Sequence, residues 1–155
     1  QFHVMLAEEA TAQYAALIRE IIASDGKPLV YHCSHGIHRT GTATAIILSA
    51  VGVSWETVRD DYLLSNVYRA DEIEKRTVRL RTLAAGTFGI PEDEVDMTNI
   101  NAFYILQGGY VDGTLQYAEA HYGTMQNYLT EGLVLSELEL KALREILLDE
   151  YVSGK

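Results

Sequence analysis

One short run decides which architectures are open to this chain. Leu29, Val30 and Tyr31 form an apolar stretch rich in β-formers, which predicts a buried strand ending at His32. Every other hydrophobic pattern in the sequence repeats at helical spacing. A buried strand needs hydrogen-bonding neighbours for its backbone, and nothing else in the sequence reads as a strand that could supply them. Two architectures follow. Either the chain is all-helical with an extended connector, or its sheet is completed by polypeptide outside these 155 residues.

The helical signals run from end to end. Leu6, Ala10, Tyr14, Leu17, Ile18 and Ile21 recur at three- and four-residue steps, predicting an amphipathic helix over about 7–23 that ends before Asp25-Gly26. After the punctuation of Lys27-Pro28 and the strand comes a polar, glycine-bearing loop at 33–41. A small and apolar helix follows at 42–50 and is closed by Gly52. Ser54 can cap the next helix, which carries Trp55, Val58, Tyr62 and Leu63 toward Tyr68. Residues 71–85 form a third helical stretch, charged on most faces by Glu72, Glu74, Lys75, Arg76, Arg79 and Arg81, as expected of a surface-lying helix.

Residues 86–99, with Gly89 and Pro91, read as a loop with at most one helical turn. Its acidic residues Glu92, Asp93, Glu94 and Asp96 lack the alternating ligand spacing of calcium loops and read as solvated. A helix over 111–122 stops at Gly123. Thr124 caps a short one to Glu131, and Ser136 with Glu139 opens the last, 137–149, by a capping-box pattern. No internal repeat breaks this into modules, and one domain is the expectation at this length.

Composition narrows the partners. With 48% hydrophobic and 22% charged residues the chain is globular rather than disordered. A net charge of −10 opposes nucleic acid and anionic membrane as main partners, because both select a basic face. No stretch approaches the roughly 20 apolar residues of a membrane helix, and the first residues lack a signal-peptide layout, so a soluble protein, cytoplasmic or secreted, is expected. The chain opens on Gln rather than Met, as removal of an earlier segment would leave it. Its single cysteine, Cys33, excludes an intramolecular disulfide and any multi-cysteine metal site.

Cys33 sits in the segment His32-Cys33-Ser34-His35-Gly36-Ile37-His38-Arg39-Thr40-Gly41. Five residues between Cys and Arg, with a strand signal before and a helix after, let a loop curl around a tetrahedral oxyanion. Backbone N–H groups from Ser34 to Arg39 can point inward, Gly36 permits the turn, and the helix adds the positive end of its dipole. Arg39 can reach back to two phosphate oxygens. The same field depresses the Cys33 pKa, and a thiolate beneath a cradled phosphate is an in-line nucleophile. The reaction read from these residues is two-step. Cys33 attacks phosphorus while an acid protonates the leaving oxygen, and water then hydrolyses the cysteinyl-phosphate. His32 can orient the loop and hold the thiolate, and Thr40 can donate its hydroxyl to the sulfur. Backbone dipoles and Arg39 carry the charge, so no cofactor or metal is called for.

At these residues the chain resembles the protein tyrosine phosphatase superfamily, the cysteine-dependent phosphatases. It is most similar to the bacterial tyrosine phosphatases whose loop usually reads HC-x-A-G-K-D-R-T-G, some of which accept phosphoinositides. The likeness continues through Val51-Gly52-Val53 and Asp61-Tyr62-Leu63-Leu64-Ser65-Asn66, and again through Tyr122-Gly123, Tyr128-Leu129 and Gly132-Leu133. The resemblance implies an α/β phosphatase fold, of which this chain is the mainly helical C-terminal part with one central strand and the phosphate loop. It implies Cys33, Arg39, His38 and His32 as catalytic residues, with Ser34, His35, Gly36, Ile37, Thr40 and Gly41 lining the phosphate. Phosphotyrosine in proteins is the expected substrate, with broad dual-specificity, phosphoinositide or small phosphate-ester hydrolysis as the alternative. In some relatives the region of 71–85 forms a helical lid.

Two departures from the family pattern carry weight. Where relatives have Lys-Asp before the arginine, this chain has Ile37-His38. That Lys is associated with phosphoinositide recognition, so Ile37 argues against such a substrate. That Asp has been assigned the general-acid role, so His38 is either its replacement or a lining residue with the acid elsewhere. His35, in place of the usual Ala, also occurs in RNA 5′-triphosphatases of capping enzymes, an activity the acidic charge and helix pattern oppose. The resemblance further implies that the family's N-terminal strands are missing here. The strand at 29–31 would then pair with a separate N-terminal fragment or a second protomer, and the isolated monomer would be unstable.

Other readings stand beside this one. His32, Cys33, His35 and His38 could form a transition-metal site, although Arg39 would then face a cation. A phosphate- or metal-binding module without turnover is the alternative from another class, and a buried inert cysteine is the ordinary fate of a lone thiol. His3 and His121 read as surface or helix-packing residues, Asp60 and Asp61 as candidates to approach Arg39, and most of the tyrosines as packing residues with a wet tip.

Overall fold

The computed structural model describes residues 1–148. The stretch read as one helix is two, α1 (Phe2–Glu9) and α2 (Thr11–Ala23). Ala10 parts them at φ −104°, ψ 20°, while its N–H still bonds the Leu6 carbonyl at 3.1 Å, so the apolar stripe carries across the break. Then the chain departs from expectation. Residues 29–31 form no strand, and no strand or sheet occurs among the described residues, so the expected α/β fold with one central strand is corrected to a helical one.

The physical reason lies in pairing. A strand is stable only when its N–H and C=O groups find a ladder, and no neighbouring segment offers one. The connector therefore faces water, with Val30 87% exposed. Only Tyr31 is anchored, through a 2.7 Å bond to Thr44 Oγ1, whose own hydroxyl donates to the Thr40 carbonyl. The expected completion of a sheet by another fragment or protomer loses its strand with this finding.

The remaining elements are α3 (Arg39–Ala50), α4 (Trp55–Tyr68), α5 (Ala70–Phe88), a 3-10 turn (Glu92–Glu94), α6 (Thr98–Tyr104), α7 (Gly108–Tyr122), α8 (Met125–Asn127), a π turn (Tyr128–Gly132) and α9 (Glu137–Leu147). They fall into two compact units, Gln1–Tyr62 with the chain from Gly108 onward, and Leu63–Gln107. The expected end of the last helix at Asp149 lies outside the described residues.

In the first unit α3 is the central element. Its run of small and apolar residues has no polar stripe, and Thr42, Ala43, Ala45, Ile46, Ile47 and Ala50 are all buried. Tyr14, Ala15 and Ile18 of α2, Ala118 of α7, Tyr128 and Leu129 of the π turn and Leu140 and Leu143 of α9 join the same core. Each fully buried leucine contributes about 2 kcal/mol of hydrophobic stabilisation. Polar bonds fix the angles between elements: Tyr128 O–H donates to the Ala7 carbonyl at 2.7 Å, and Arg144 Nε donates to the Ala50 carbonyl, the C-terminal end of α3, at 3.1 Å.

The second unit holds the charged helix. α5 runs from Ala70 to Phe88, longer at both ends than its sequence pattern suggested, and buries only Ala85. Gly89, at φ 66°, ends it with a left-handed cap. Asn66 joins the two ends of this unit, its amide exchanging two 2.8 Å bonds with the Leu106 backbone. The segment read as a loop with at most one turn holds that 3-10 turn and also the start of α6.

Candidate active site

Residues 32–38 cross from the exposed connector to the start of α3, with a chain of bends over 34–38, and the sequence explains the curl. Gly36 sits at φ 72°, a left-handed conformation in which any side chain would be strained. That turn directs its own N–H back to Cys33 Sγ at 3.3 Å. Arg39, the first residue of α3, closes the ring from the other side by donating from Nη2 to Ser34 Oγ at 3.2 Å. Thus Arg39 is tied to the residue after Cys33, and the thiol is held by the turn of its own loop at the start of α3.

The thiol is acidic. Partial burial works to raise the Cys33 pKa, but hydrogen bonding to the Thr40 hydroxyl and to the backbone N–H groups of Thr40, His35 and Gly36 outweighs it and brings the value from 9.0 down to about 6. The Thr40 hydroxyl is itself buried with no other acceptor, so the sulfur is the group its proton can serve. At neutral pH the thiolate predominates. The arrangement needs no neighbouring base, because the loop's own donors stabilise the charge.

Under the loop lies a polar cluster. His3, only 3% exposed, bonds Thr42 Oγ1 through Nδ1 at 2.8 Å, while its Nε2 meets Tyr62 Oη at 3.2 Å and His38 Nδ1 at 3.4 Å. The rings of Phe2, His3, His38 and Tyr62 meet edge to face, with centroids 5.6 Å apart for three of the pairs. Burial chiefly, then the charge on His38 and the Gln1 amino group, lower the His3 pKa from 6.5 to about 4, so His3 is neutral at working pH. Tyr14 lies close by with its hydroxyl buried, in electrostatic reach of Thr42, Arg39 and Cys33, and burial raises its pKa.

The residues singled out from the sequence thus take different places. Cys33, Ser34, Gly36, Arg39 and Thr40 converge, and His35 contributes its backbone N–H. His32 is exposed and bonds through Nδ1 to the Cys33 carbonyl at 3.2 Å, a contact with the backbone of the loop rather than with the sulfur. Ile37 is 1% exposed, so its side chain anchors the loop in the interior and leaves only its backbone to face a ligand. Gly41 packs under Tyr62, where a Cβ would come within 2.7 Å of the ring. No group of three or more His, Cys, Asp or Glu side chains among the described residues is placed to hold a metal ion, and the His32, Cys33, His35 and His38 set is not gathered for one. His121 stacks on Tyr117, and Asp60 and Asp61 are exposed on α4.

Sequence reasoning missed the cluster of His3, Thr42 and Tyr62. Its signal was present, since His3, Ala7 and Tyr14 continue one buried stripe at helical spacing, and a histidine on such a stripe must find partners inside.

The sequence model of a tyrosine phosphatase family matches residues 1–149. A protein of Cupriavidus necator named as a tyrosine-protein phosphatase is 29% identical over 119 residues, covering 77% of this chain and 40% of that protein. A triple specificity protein phosphatase of Mycobacterium tuberculosis is 26% identical over 128 residues, covering 79% of this chain and 45% of that protein. The chain therefore spans less than half the length of either relative. Among the described residues no helix is long and apolar enough to cross a membrane.

Proposed function

The chain belongs to the tyrosine phosphatase family, and from that premise we propose that it hydrolyses phosphate monoesters, phosphotyrosine in proteins foremost, through a cysteinyl-phosphate on Cys33. The observation that carries this reading is the Cys33 thiol, drawn down to about 6 by donors of its own loop, in a loop whose next residue, Ser34, is bonded by Arg39. In the first step Sγ bonds phosphorus as the bond to the leaving oxygen breaks, and His38 gives that oxygen a proton. In the second, water attacks phosphorus, its proton returns to His38, and the S–P electrons return to sulfur. Backbone N–H groups of 34–39 and the Arg39 guanidinium hold the phosphoryl oxygens throughout. Ser34, bonded to Arg39, keeps the guanidinium over the loop.

A broader substrate range is the second reading, favoured by the relative named as a triple specificity phosphatase. A panel of phosphotyrosine, phosphoserine and phosphoinositide substrates, assayed with wild type and Cys33→Ser, tests both. The expected result is a loss of at least about 10³-fold in kcat for Cys33→Ser with vanadate binding retained. In the wild type kcat/KM should rise with pH through about 6, as the thiol ionises. Turnover that survives in Cys33→Ser overturns the mechanism, and vanadate binding without turnover in the wild type favours a phosphate-recognising module.

A further inference from the structure

We infer that His3 is a positioning residue for the reaction, holding His38 by Nδ1 so that proton exchange with the substrate belongs to Nε2. The inference rests on the reading of His38 as the acid and adds a residue that the loop does not contain. Three observations carry it. His3 is buried and is a polar group that the fold must satisfy. Its two nitrogens are both engaged, Nδ1 by Thr42 and Nε2 by His38 and Tyr62. Its ring also meets the rings of both His38 and Tyr62 edge to face, which fixes the angle between the two imidazoles.

The proton arithmetic follows from those contacts. When His38 is an imidazolium its Nδ1–H needs an acceptor, and His3 supplies the Nε2 lone pair if its own proton sits on Nδ1, donated to Thr42 Oγ1 at 2.8 Å. Tyr62 reaches the same Nε2 at 3.2 Å, nearer than the 3.4 Å of His38. The charge on His38 nevertheless favours its bond over the neutral phenol's, since charge-assisted bonds are roughly twice as strong. As the leaving oxygen takes the proton from His38 Nε2, the N–H electrons stay on the ring, and His38 becomes neutral with its remaining proton on Nδ1, still donated to His3. Nε2 then carries the lone pair that receives the proton of the attacking water. One tautomer therefore serves both steps, and His3 selects it.

The groups facing His3 are few. Phe2 lies on its own helix, His38 comes from the loop, Thr42 from α3, Tyr62 from α4, and Gly113 of α7 presents only backbone near its Cβ. The titratable and charged members are His38, Tyr62, the Gln1 amino group and, through Tyr62, Tyr110. His38 is the member read as the acid, so a shift in the alkaline limb of kcat that accompanies slowing of a poor leaving group reports on it.

The test compares His3→Phe, which keeps the ring and removes both nitrogens, with His3→Gln, whose amide reaches the place of Nε2. For phenyl phosphate, a poor leaving group, His3→Phe should lose about tenfold in kcat, a fraction of the roughly 10²–10⁴ a general acid supplies. For p-nitrophenyl phosphate it should stay within about twofold. Its alkaline limb should move down by about one pH unit, because the imidazolium has lost an acceptor, while His3→Gln keeps the limb near the wild-type position. Equal slowing of both substrates, or a limb that does not move, overturns the inference. If His3→Phe does not fold, His3→Asn takes its place against His3→Gln, since its amide reaches only the position of Nδ1. The limb moving in Asn alone supports the inference, and moving in neither overturns it. His38→Ala separates this from the parent reading. If it slows both substrates equally, His38 is not the acid; if it spares p-nitrophenyl phosphate while His3→Phe shifts nothing, only the role of His3 fails.

Discussion

The loop at 32–41 and the segment at 124–147 belong to the same compact unit but are held by opposite means. The C-terminal segment follows local rules at its two caps, although Val134 between them is held left-handed at φ 54°. Thr124 accepts the Asn127 N–H at 3.0 Å, Ser136 and Glu139 exchange a full capping box, and Leu140 and Leu143 go into the core. The loop leaves its polar groups poised. The Thr40 hydroxyl serves the Cys33 sulfur, Gly36 is left-handed, and a neutral histidine is enclosed beneath. Regularity gives the first region stability, and the second holds stabilising donors in reserve for a charge that arrives on sulfur and on a bound phosphoryl group. Loop variants such as Cys33→Ser should therefore change turnover far more than melting.

Breaking the other side of the comparison should do the reverse. Leu140 is fully buried, and Leu140→Ala removes both its transfer energy and the packing around it. We expect a loss of about 2–5 kcal/mol in denaturant unfolding, with kcat per folded molecule unchanged. A matching fall in kcat would mean that α9 reaches the chemistry and that the two regions are not separable.

Acid sharpens the contrast. The His3 pKa is held near 4 against 6.5 by burial first and then by neighbouring positive charge, so the unfolded chain takes up this proton before the folded one. Stability is therefore lost as pH falls from about 6.5 to about 4 and levels off below, by about 3 kcal/mol in all. Glu139 is held near 2 by the Ser136 backbone N–H, Arg19 and the Ser136 hydroxyl, so the cap weakens only between 4.5 and about 2. Cys33, depressed from 9.0 to about 6, sheds its share at higher pH. Between pH 6.5 and 4.5 the loop side alone responds. Melting curves at pH 7 and pH 5 should show a larger drop for wild type than for His3→Phe, and equal drops would place the acid sensitivity elsewhere.

What was legible in the sequence follows the same division. The cap at Thr124 and the capping box at Ser136 are interactions across three residues, and the letters that make them lie within one turn. The Cys33 to Arg39 spacing is likewise local, and the loop it spans curls so that Gly36 N–H meets Cys33 Sγ and Arg39 meets Ser34. The strand at 29–31 failed because β-propensity describes a surface that fits into a sheet and cannot supply the partner. Ile37 was legible only as a member of the loop: one apolar side chain among polar neighbours is the one the interior takes, which leaves its backbone for a ligand. His3 lies 35 residues from His38, a contact made only by tertiary packing. It was visible in outline, since the stripe through Ala7 and Tyr14 includes it.

The smallest effect tests whether local rules really suffice in the C-terminal segment. Ser136 Oγ accepts the Glu139 N–H at 3.2 Å, and Glu139 Oε2 accepts the Ser136 N–H at 2.7 Å while its Oε1 takes Arg19 Nε from α2 at 2.7 Å. Arg19 also donates from Nη2 to the Val134 carbonyl at 2.9 Å, so the cap is tied to a second helix. Ser136→Ala should therefore lose about 1 kcal/mol, the ordinary value for a helix cap, because Glu139 keeps its bonds to the Ser136 backbone and to Arg19. A loss near 3 kcal/mol would mean that the hydroxyl organises the Arg19 contacts as well. The segment would then owe its stability to a long-range network, as the loop does, and the distinction between the two regions would be one of degree.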